Sequence, residues 1–374
     1  MRFRSVAVVG VGLVGGSFAA AVKTLPDRPR VVGIDTDVAG LQWALDNGIV
    51  DAGSLPNGLG AQEWLGPDGV DLVVLATPAA RVVEWIELLG TMGYRGVVTD
   101  VASTKSAVIA AAEQHLGPQA AFVGGHPMAG SERSGVEAAD SELFRGAYYV
   151  LTPTESTDLD AYRRVHALVS EFGCRVISVD ATAHDDAVAI ISHVPHVAAS
   201  ALVELAAEHA GREGELLRLA AGGFKDTTRV AAGSPELWTG ICLDNADAVA
   251  GGVEELQSVL GRFAAMLRAG DADGLRRWLA RAADVRRSLP AQWVPATSKL
   301  TEVIVPVLDR PGVVAEVTTA ASRAGCNIEG IEIDHVSEAS AHLVIVLTDE
   351  GDMARFISDL HAAGYAPQVR PLES

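Results

Sequence analysis

Between residue 5 and about residue 150 the chain repeats one pattern, a short uninterrupted apolar run followed by a longer stretch of helical character. The runs are Val6–Val9, Val31–Ile34, Leu72–Ala76, Val97–Asp100, Ala121–Gly124 and Tyr148–Leu151, and another follows at Arg175–Val179. A strand with one wet face alternates apolar and polar residues, so runs without alternation predict strands covered on both faces. Strand and helix in turn predict an α/β fold built on a Rossmann-like, doubly wound parallel sheet. Beyond residue 180 the pattern becomes Ala-rich with helical periodicity. It predicts an all-α region with one helix over His184–Ala210, bent near Pro195, and others over Ala246–Arg268 and Asp273–Ser288. A helical region this small and this rich in Ala buries little by itself, which points to a dimerisation surface and a homodimer.

After the stretch Pro290–Lys299 the tail reads strand (Thr301–Leu308), turn (Asp309-Arg-Pro-Gly312), helix (Val313–Ala324), strand (Asn327–Asp334), strand (Ala341–Leu347), helix (Asp352–Ala363) and strand (Pro367–Pro371). That βαββαβ order predicts a small ferredoxin-like module. The expected domains are therefore 1–180, 181–292 and 299–374.

Two apolar stretches imitate targeting signals. Arg2 and Arg4 followed by the uncharged run Ser5–Val22 resemble a secretory leader, but Gly10, Gly12, Gly15 and Gly16 weaken an apolar helix, and a second buried-strand pattern follows at residue 31. The run Ala187–Val203 holds two histidines and a proline and falls short of the roughly 20 residues that span a bilayer. We expect no membrane segment. Composition narrows the field further: 374 residues with 49% apolar content suit two or three packed domains, not a disordered chain. With 29 Lys and Arg against 48 Asp and Glu, the net charge of −19 repels polyphosphate and argues against nucleic acid as a partner. Cys174, Cys242 and Cys326 fit neither a disulfide framework nor a zinc spacing, which suggests reduced thiols in the cytoplasm.

Chemistry concentrates in four places. Gly10-Val-Gly12-Leu-Val-Gly15 follows a predicted strand and opens a predicted helix, so Gly10, Gly12 and Gly15 permit a tight turn, with Leu13 and Val14 meeting a pyrophosphate at the helix N-terminus. Asp35, at the end of the second strand, is placed to meet ribose hydroxyls. With Asp37 beside it and no base directly following, a 2′-phosphate is repelled and NAD is favoured over NADP. Thr77, after the third run, either borders the cofactor or caps a helix. Thr99–Lys105 and Gly124–Gly135 follow strands whose carboxyl ends face the crevice of an open sheet. His126 there suits proton acceptance from an alcohol, with Ser103 as a hydrogen-bond partner for its ring; a plain loop histidine is the alternative. His193 and His196 share a helix face, as a metal pair, packing residues or substrate contacts; no third ligand is evident at useful spacing, so no metal is expected. Lys225 and Arg229, one helical turn apart, either hold an anion or pair with Asp226 or Glu236.

Taken together, Gly-x-Gly-Leu-x-Gly-Gly-Ser (10–17), Asp-Val-Ala-Ser-x-Lys (100–105), GGHPMAGSERSG (124–135), ISHVPHVAA (191–199), GGFKDTTRVA (222–231) and Pro235-Glu-Leu-Trp238 resemble the prephenate dehydrogenase family of tyrosine biosynthesis. The resemblance covers residues 5 to about 290. The tail, with Asp309-Arg-Pro-Gly312 before a helix and Ala324-Gly-Cys-Asn-Ile328 after it, resembles an ACT domain.

The resemblance implies NAD-dependent oxidative decarboxylation of prephenate to 4-hydroxyphenylpyruvate, with arogenate as the alternative substrate. It implies His126 as base or acceptor for the ring hydroxyl, Ser103 orienting it, and Arg229 and His196 on substrate carboxylates. Glu132, beside Ser131, corresponds to an acidic gate near the substrate; Lys225, Asp226 and Trp238 shape the pocket, some of them from a partner subunit. For the tail it implies feedback control, with tyrosine as the expected ligand and Gly312 and Asn327 as ligand-loop residues. Two other readings remain open: a β-hydroxyacid dehydrogenase, which would lack the loop around His126, and an NAD and amino-acid sensor without turnover.

Overall fold

The computed structural model describes residues 3–130, 133–209, 219–288, 300–308, 310, 313–326, 328–337, 340–347 and 351–372. By internal packing the chain divides into two units, Met1–Arg268 and Ala269–Ser374.

The first unit is built on eight strands: β1 (Ser5–Val9), β2 (Arg30–Ile34), β3 (Ala52–Ser54), β4 (Leu72–Leu75), β5 (Val97–Asp100), β6 (Ala121–Pro127), β7 (Tyr148–Thr152) and β8 (Arg175–Ser178). Between them run helices α1 (Leu13–Thr24), α2 (Val38–Asp46), α3 (Leu59–Trp64), α4 (Ala79–Met92), α5 (Ser106–His115) and α6 (Leu159–Glu171). The sheet order β3-β2-β1-β4-β5-β6-β7-β8 leads outward in both directions from β1 and β4, which makes the crevice above that pair the switch point where open sheets bind ligands. The apolar runs are covered on both faces, as their lack of alternation predicts. Val6, Val8, Leu72 and Val74 pack with Phe18, Val22, Phe144 and Val165 on one side of the sheet. Ala7, Val9, Val73 and Leu75 pack with Ile86, Leu89 and Val108 on the other.

Two features depart from the expected sheet. The short strand β3 pairs with β2 through Val32 and Ala52, and its three residues are too few to make an apolar run. β6 and β7 pair antiparallel, whereas β7 and β8 pair parallel. Among the described residues between β6 and β7 the helical piece is a 3₁₀ turn at Val136–Ala138 and no crossover helix, and the chain returns antiparallel. The doubly wound parallel sheet thus runs from β1 to β6, and its last two strands point the other way.

Beyond the sheet, α7 (Ala181–Val188) passes through a π-helical turn at Ala189–His193 into α8 (Val194–His209). The bend expected at Pro195 takes this form because a proline cannot donate to the carbonyl four residues back, and its ring crowds that carbonyl. This helical run, Ala181–His209, is long and apolar enough by length and composition to cross a membrane, yet it carries Asp185 and three of the histidines described below. Shorter helices follow at Gly222–Thr228 and Pro235–Asp244, then the long helix Ala246–Ala269.

In the second unit, β9 (Leu300–Leu308), β10 (Ile328–Ser337), β11 (Ser340–Leu347) and β12 (Gln368–Leu372) form an antiparallel sheet in the order β10-β11-β9-β12. The helices Val313–Arg323 and Met353–Ala362 complete the βαββαβ order, and Val303, Val305, Val317, Leu343, Ile345 and Phe356 fill its core.

Phe18 anchors the larger core, edge-on to Phe144 (6.3 Å) and Phe172 (5.1 Å) and inaccessible to solvent. Replacing it leaves a cavity that three surrounding elements cannot close, so Phe18→Ala should destabilise the first unit by about 3–5 kcal/mol, read from denaturant unfolding followed by tryptophan fluorescence.

Candidate active site

The glycine loop stands at the carboxyl end of β1. Gly10 has φ +92°, and a Cβ there would lie 2.6 Å from the Ala76 carbonyl oxygen; a Cβ on Gly15 would lie 1.9 Å from the Gly10 oxygen. Both positions therefore exclude side chains, one by turn geometry and one by close packing of α1 on the loop. Gly12 differs: nothing lies within 4 Å of where its Cβ would be, and as the N-cap of α1 it offers no side chain to the first helical N–H groups. The space above Gly12 and the uncapped start of α1, at Leu13 and Val14, fit a pyrophosphate.

Asp35 is fixed by the same loop. One carboxylate oxygen accepts from Val11 N–H at 2.6 Å and the other from Asp37 N–H at 2.9 Å, which holds the half-buried carboxylate at the end of β2, next to the loop. Asp37 itself caps α2 through Ala39 N–H. Thr77 is not a helix cap: α4 begins after Pro78, and the Thr77 hydroxyl oxygen is buried without a partner. An orphaned hydroxyl beside Gly10 is what a ligand-binding wall presents before its ligand arrives. On these observations the loop, Asp35 and Thr77 fit a dinucleotide.

Across the crevice, β5 and β6 bring the next polar groups to the same edge. Asp100, fully buried, accepts from Ala102 N–H (3.0 Å) and Gly125 N–H (3.0 Å) and pairs with Lys105, whose ammonium also donates to the Gly125 carbonyl at 2.8 Å. Burial pulls the Lys105 pKa down, and the Asp100 carboxylate opposes that pull. This pair locks the turn after β5 against the residue preceding His126.

Nδ1 of His126 lies 2.9 Å from Nε2 of His184, the rings nearly perpendicular. Nδ1 of His184 lies 2.8 Å from Asp185 Oδ1, and Asp185 also accepts Lys105 N–H at Oδ1 and Ser106 N–H at Oδ2, each at 2.8 Å. Asp185 thus caps α5 from a different part of the chain. Burial pushes its carboxyl up, but the hydrogen bonds from His184, Ser106 and Lys105 outweigh this and leave it at about 2, ionised at any working pH. Burial pulls His126 well below the ordinary 6.5, and the ammonium of Lys105 adds to the fall. His126 is therefore a neutral acceptor at pH 7.

Asn245 continues the network, donating to the Asp185 carbonyl at 2.8 Å and lying 3.4 Å from His193 Nδ1. Trp238 stands edge-on to His193 and stacks face to face on His196, ring centroids 3.5 Å apart. The Nδ1 of His196 is buried and without a partner, and burial lowers its pKa, so this ring offers a hydrogen bond and not a charge. Arg229 opens the 3₁₀ turn Arg229–Ala232, which packs against α8; its side chain is exposed, as are those of Lys225 and Asp226.

Of the residues expected from sequence, the structure brings His126, His193, His196 and Trp238 into one chain of contacts. It does not join Ser103 to His126; the ring partner is His184 instead. Ser131, Glu132, Gly312 and Asn327 lie outside the described residues. His184, Asp185 and Asn245 were not expected. The adjacent His-Asp pair at the start of the helix after the last strand was the available signal, and nothing local tied it to a site 58 residues away in sequence. Among the described residues no cluster of three or more His, Cys, Asp or Glu is arranged to hold a metal ion. A cavity of about 880 Å³, lined by Arg95, Glu113, Thr152 and Arg164 among others, opens at the opposite ends of β5 and β6 and contains none of these groups.

Comparison with known proteins decides the family. Residues 18–178 match the nucleotide-binding domain of prephenate dehydrogenase, residues 180–281 its dimerization domain, and residues 301–364 an ACT domain. The chain belongs to the prephenate dehydrogenase family. A prephenate dehydrogenase of Bacillus subtilis is 33% identical over 336 residues, covering 89% of each chain. The crystal structure of prephenate dehydrogenase from A. aeolicus with hydroxyphenyl propionate and NAD+ superposes with a TM-score of 0.73 at 30% identity, covering 78% of this chain and 99% of that one. Synechocystis arogenate dehydrogenase superposes at 0.65 with 29% identity, covering 76% and 100%.

Gly15→Ala should force α1 away from Gly10 and weaken NAD binding at least tenfold, a cost of about 1.4 kcal/mol or more, measured by titration calorimetry on a protein whose circular dichroism is unchanged.

Proposed function

We propose that this protein oxidatively decarboxylates prephenate to 4-hydroxyphenylpyruvate with NAD, and that His126 is the base. The observation that carries the reading is a neutral, half-buried imidazole at the carboxyl end of β6, in the same crevice as a dinucleotide-fitting glycine loop. Gly10, Gly12, Leu13, Val14, Gly15, Asp35 and Thr77 hold the dinucleotide, which supplies a hydride acceptor when bound. His126 takes the proton of the ring hydroxyl as that carbon is oxidised. The ketone then forming draws electrons from the ring, and loss of the ring carboxylate as carbon dioxide restores aromaticity. Enclosure by the sheet edge and α7 keeps His126 unprotonated. Arg229 provides positive charge for a substrate carboxylate, His196 a hydrogen bond from a ring held by Trp238, and Lys225, Asp226, Ser131 and Glu132 are assigned to substrate binding. Ser103, half-buried in the turn after β5, is assigned to the substrate and not to the His126 ring, whose partner is His184.

Arogenate is the second reading, supported by the similarity to the Synechocystis enzyme. The two substrates differ in whether the side chain carries an amino group, so the groups facing it set the choice.

The helical region carries exposed Ile191, Leu202, Leu205, Leu237, Leu243 and Leu260, a surface suited to a second copy of the chain, in keeping with the dimerization-domain match. We assign the work by region as 1–180 for the dinucleotide, 181–292 for substrate and dimerisation, and 299–374 for feedback by tyrosine, in the cytoplasm.

NADH formation with prephenate and arogenate side by side tests the reaction, and no turnover of either would overturn it. His126→Asn should lower kcat by about 10²- to 10⁴-fold while NAD still binds. Because the base works unprotonated and its pKa is depressed, kcat/KM should stay level as pH falls through 6.5 and drop only at lower pH. Removing residues 299–374 should abolish inhibition by tyrosine; full inhibition of the shortened enzyme would place that control at the active site.

A further inference from the structure

An imidazole can serve as a base only through the nitrogen that lacks a proton, and which nitrogen that is depends on what the other one meets. In this protein the other nitrogen of His126 meets a chain of two groups from α7. Asp185 is the end of the chain. Its carboxylate receives three donors at 2.8 Å: the N–H groups of Lys105 and Ser106, and Nδ1 of His184. A carboxylate bound this way is an acceptor only, so the hydrogen in the Asp185–His184 contact belongs to the imidazole. With Nδ1 of His184 donating to Asp185, Nε2 is the ring atom left to accept, and it lies 2.9 Å from Nδ1 of His126. The hydrogen in this second contact then belongs to His126.

We propose that Asp185 and His184 are positioning residues that hold the His126 proton on Nδ1 and leave Nε2 as the lone pair that receives the substrate proton. The inference rests on the reading of His126 as base. The proton leaves the hydroxyl oxygen for His126 Nε2 while the hydride leaves the same carbon for the dinucleotide; the chain fixes the acceptor atom and takes no proton itself. Without it, the ring is free to turn or to carry its proton on Nε2, where it blocks the step. Burial strengthens the arrangement: His184 is 3% and Asp185 5% exposed, so water does not compete for either contact. Asp185 is itself held by the backbone at the start of α5, which makes the chain rigid from the sheet side as well as from α7.

Two substitutions separate the role from simple packing. His184→Gln keeps an amide that can donate to Asp185 and accept from His126, whereas His184→Leu fills similar space with neither. The primary measurement is the nitrogen-15 spectrum of the full-length protein labelled at histidine, with the His126 signals assigned by their loss in His126→Asn. We expect the Nδ1–H tautomer in the wild type and in His184→Gln, and its loss in His184→Leu. Turnover should follow: kcat near wild type in His184→Gln, lower by about two to four orders of magnitude in His184→Leu, with KM and NAD affinity within about twofold. A wild-type His126 with its proton on Nε2 would overturn the inference, as would full kcat in a folded His184→Leu. The spectrum reports the tautomer whether or not the enzyme turns over. Failure of the base reading, seen as retained turnover in His126→Asn, is therefore a separate result.

Discussion

One carboxylate organises the centre of the first unit. Asp185 arrives on a helix that follows the last strand, yet its partners are the first N–H groups of α5, some 80 residues earlier. A helix start has unsatisfied donors and a partial positive charge, and a buried carboxylate has unsatisfied acceptors, so each removes the other's desolvation cost. The contact fastens α7 to the sheet edge. It also keeps Asp185 ionised, and through His184 it orients the ring that stands over the crevice. The position of His126 thus depends on an interaction that neither β6 nor its loop contributes.

The charge layout follows from that constraint. The protein carries a net −19, but the centre of the site is made of histidines whose burial keeps them uncharged and of a Lys105–Asp100 pair that neutralises itself. Removing either member of that pair would leave a lone buried charge, which is far more costly than the pair is stabilising. The basic side chains of Lys225 and Arg229 are exposed, away from this buried centre.

Much of the architecture was legible in the sequence because burial on both faces leaves a local mark. Each of the apolar runs named above is a strand, and the tail's elements fall within one to three residues of their expected ends, since Val303, Val305 and Leu343 alternate with exposed or half-buried neighbours toward a one-sided core. Where the local mark is weak the reading failed. Ala52–Ser54 has no apolar run, and the reversal between β6 and β7 depends on a connection whose residues say nothing about direction. Pro195 announced a bend, and the π-helical turn Ala189–His193 is the form the bend takes.

The site divides along the same line. Sequence by itself determined the glycine loop, Asp35 and the histidines at 126, 193 and 196, because each needs a particular residue type at a particular distance from a strand or helix end. Only the tertiary structure decided what those residues touch. Thr77 was free to be a cap until the helix began one residue later with its oxygen left unpaired, and Ser103 was the natural partner of His126 until His184 came to fill that place. Contacts between elements far apart in sequence carry no periodicity and no spacing, so the chain of Asp185, His184 and His126 exists only once α7 has packed against the start of α5.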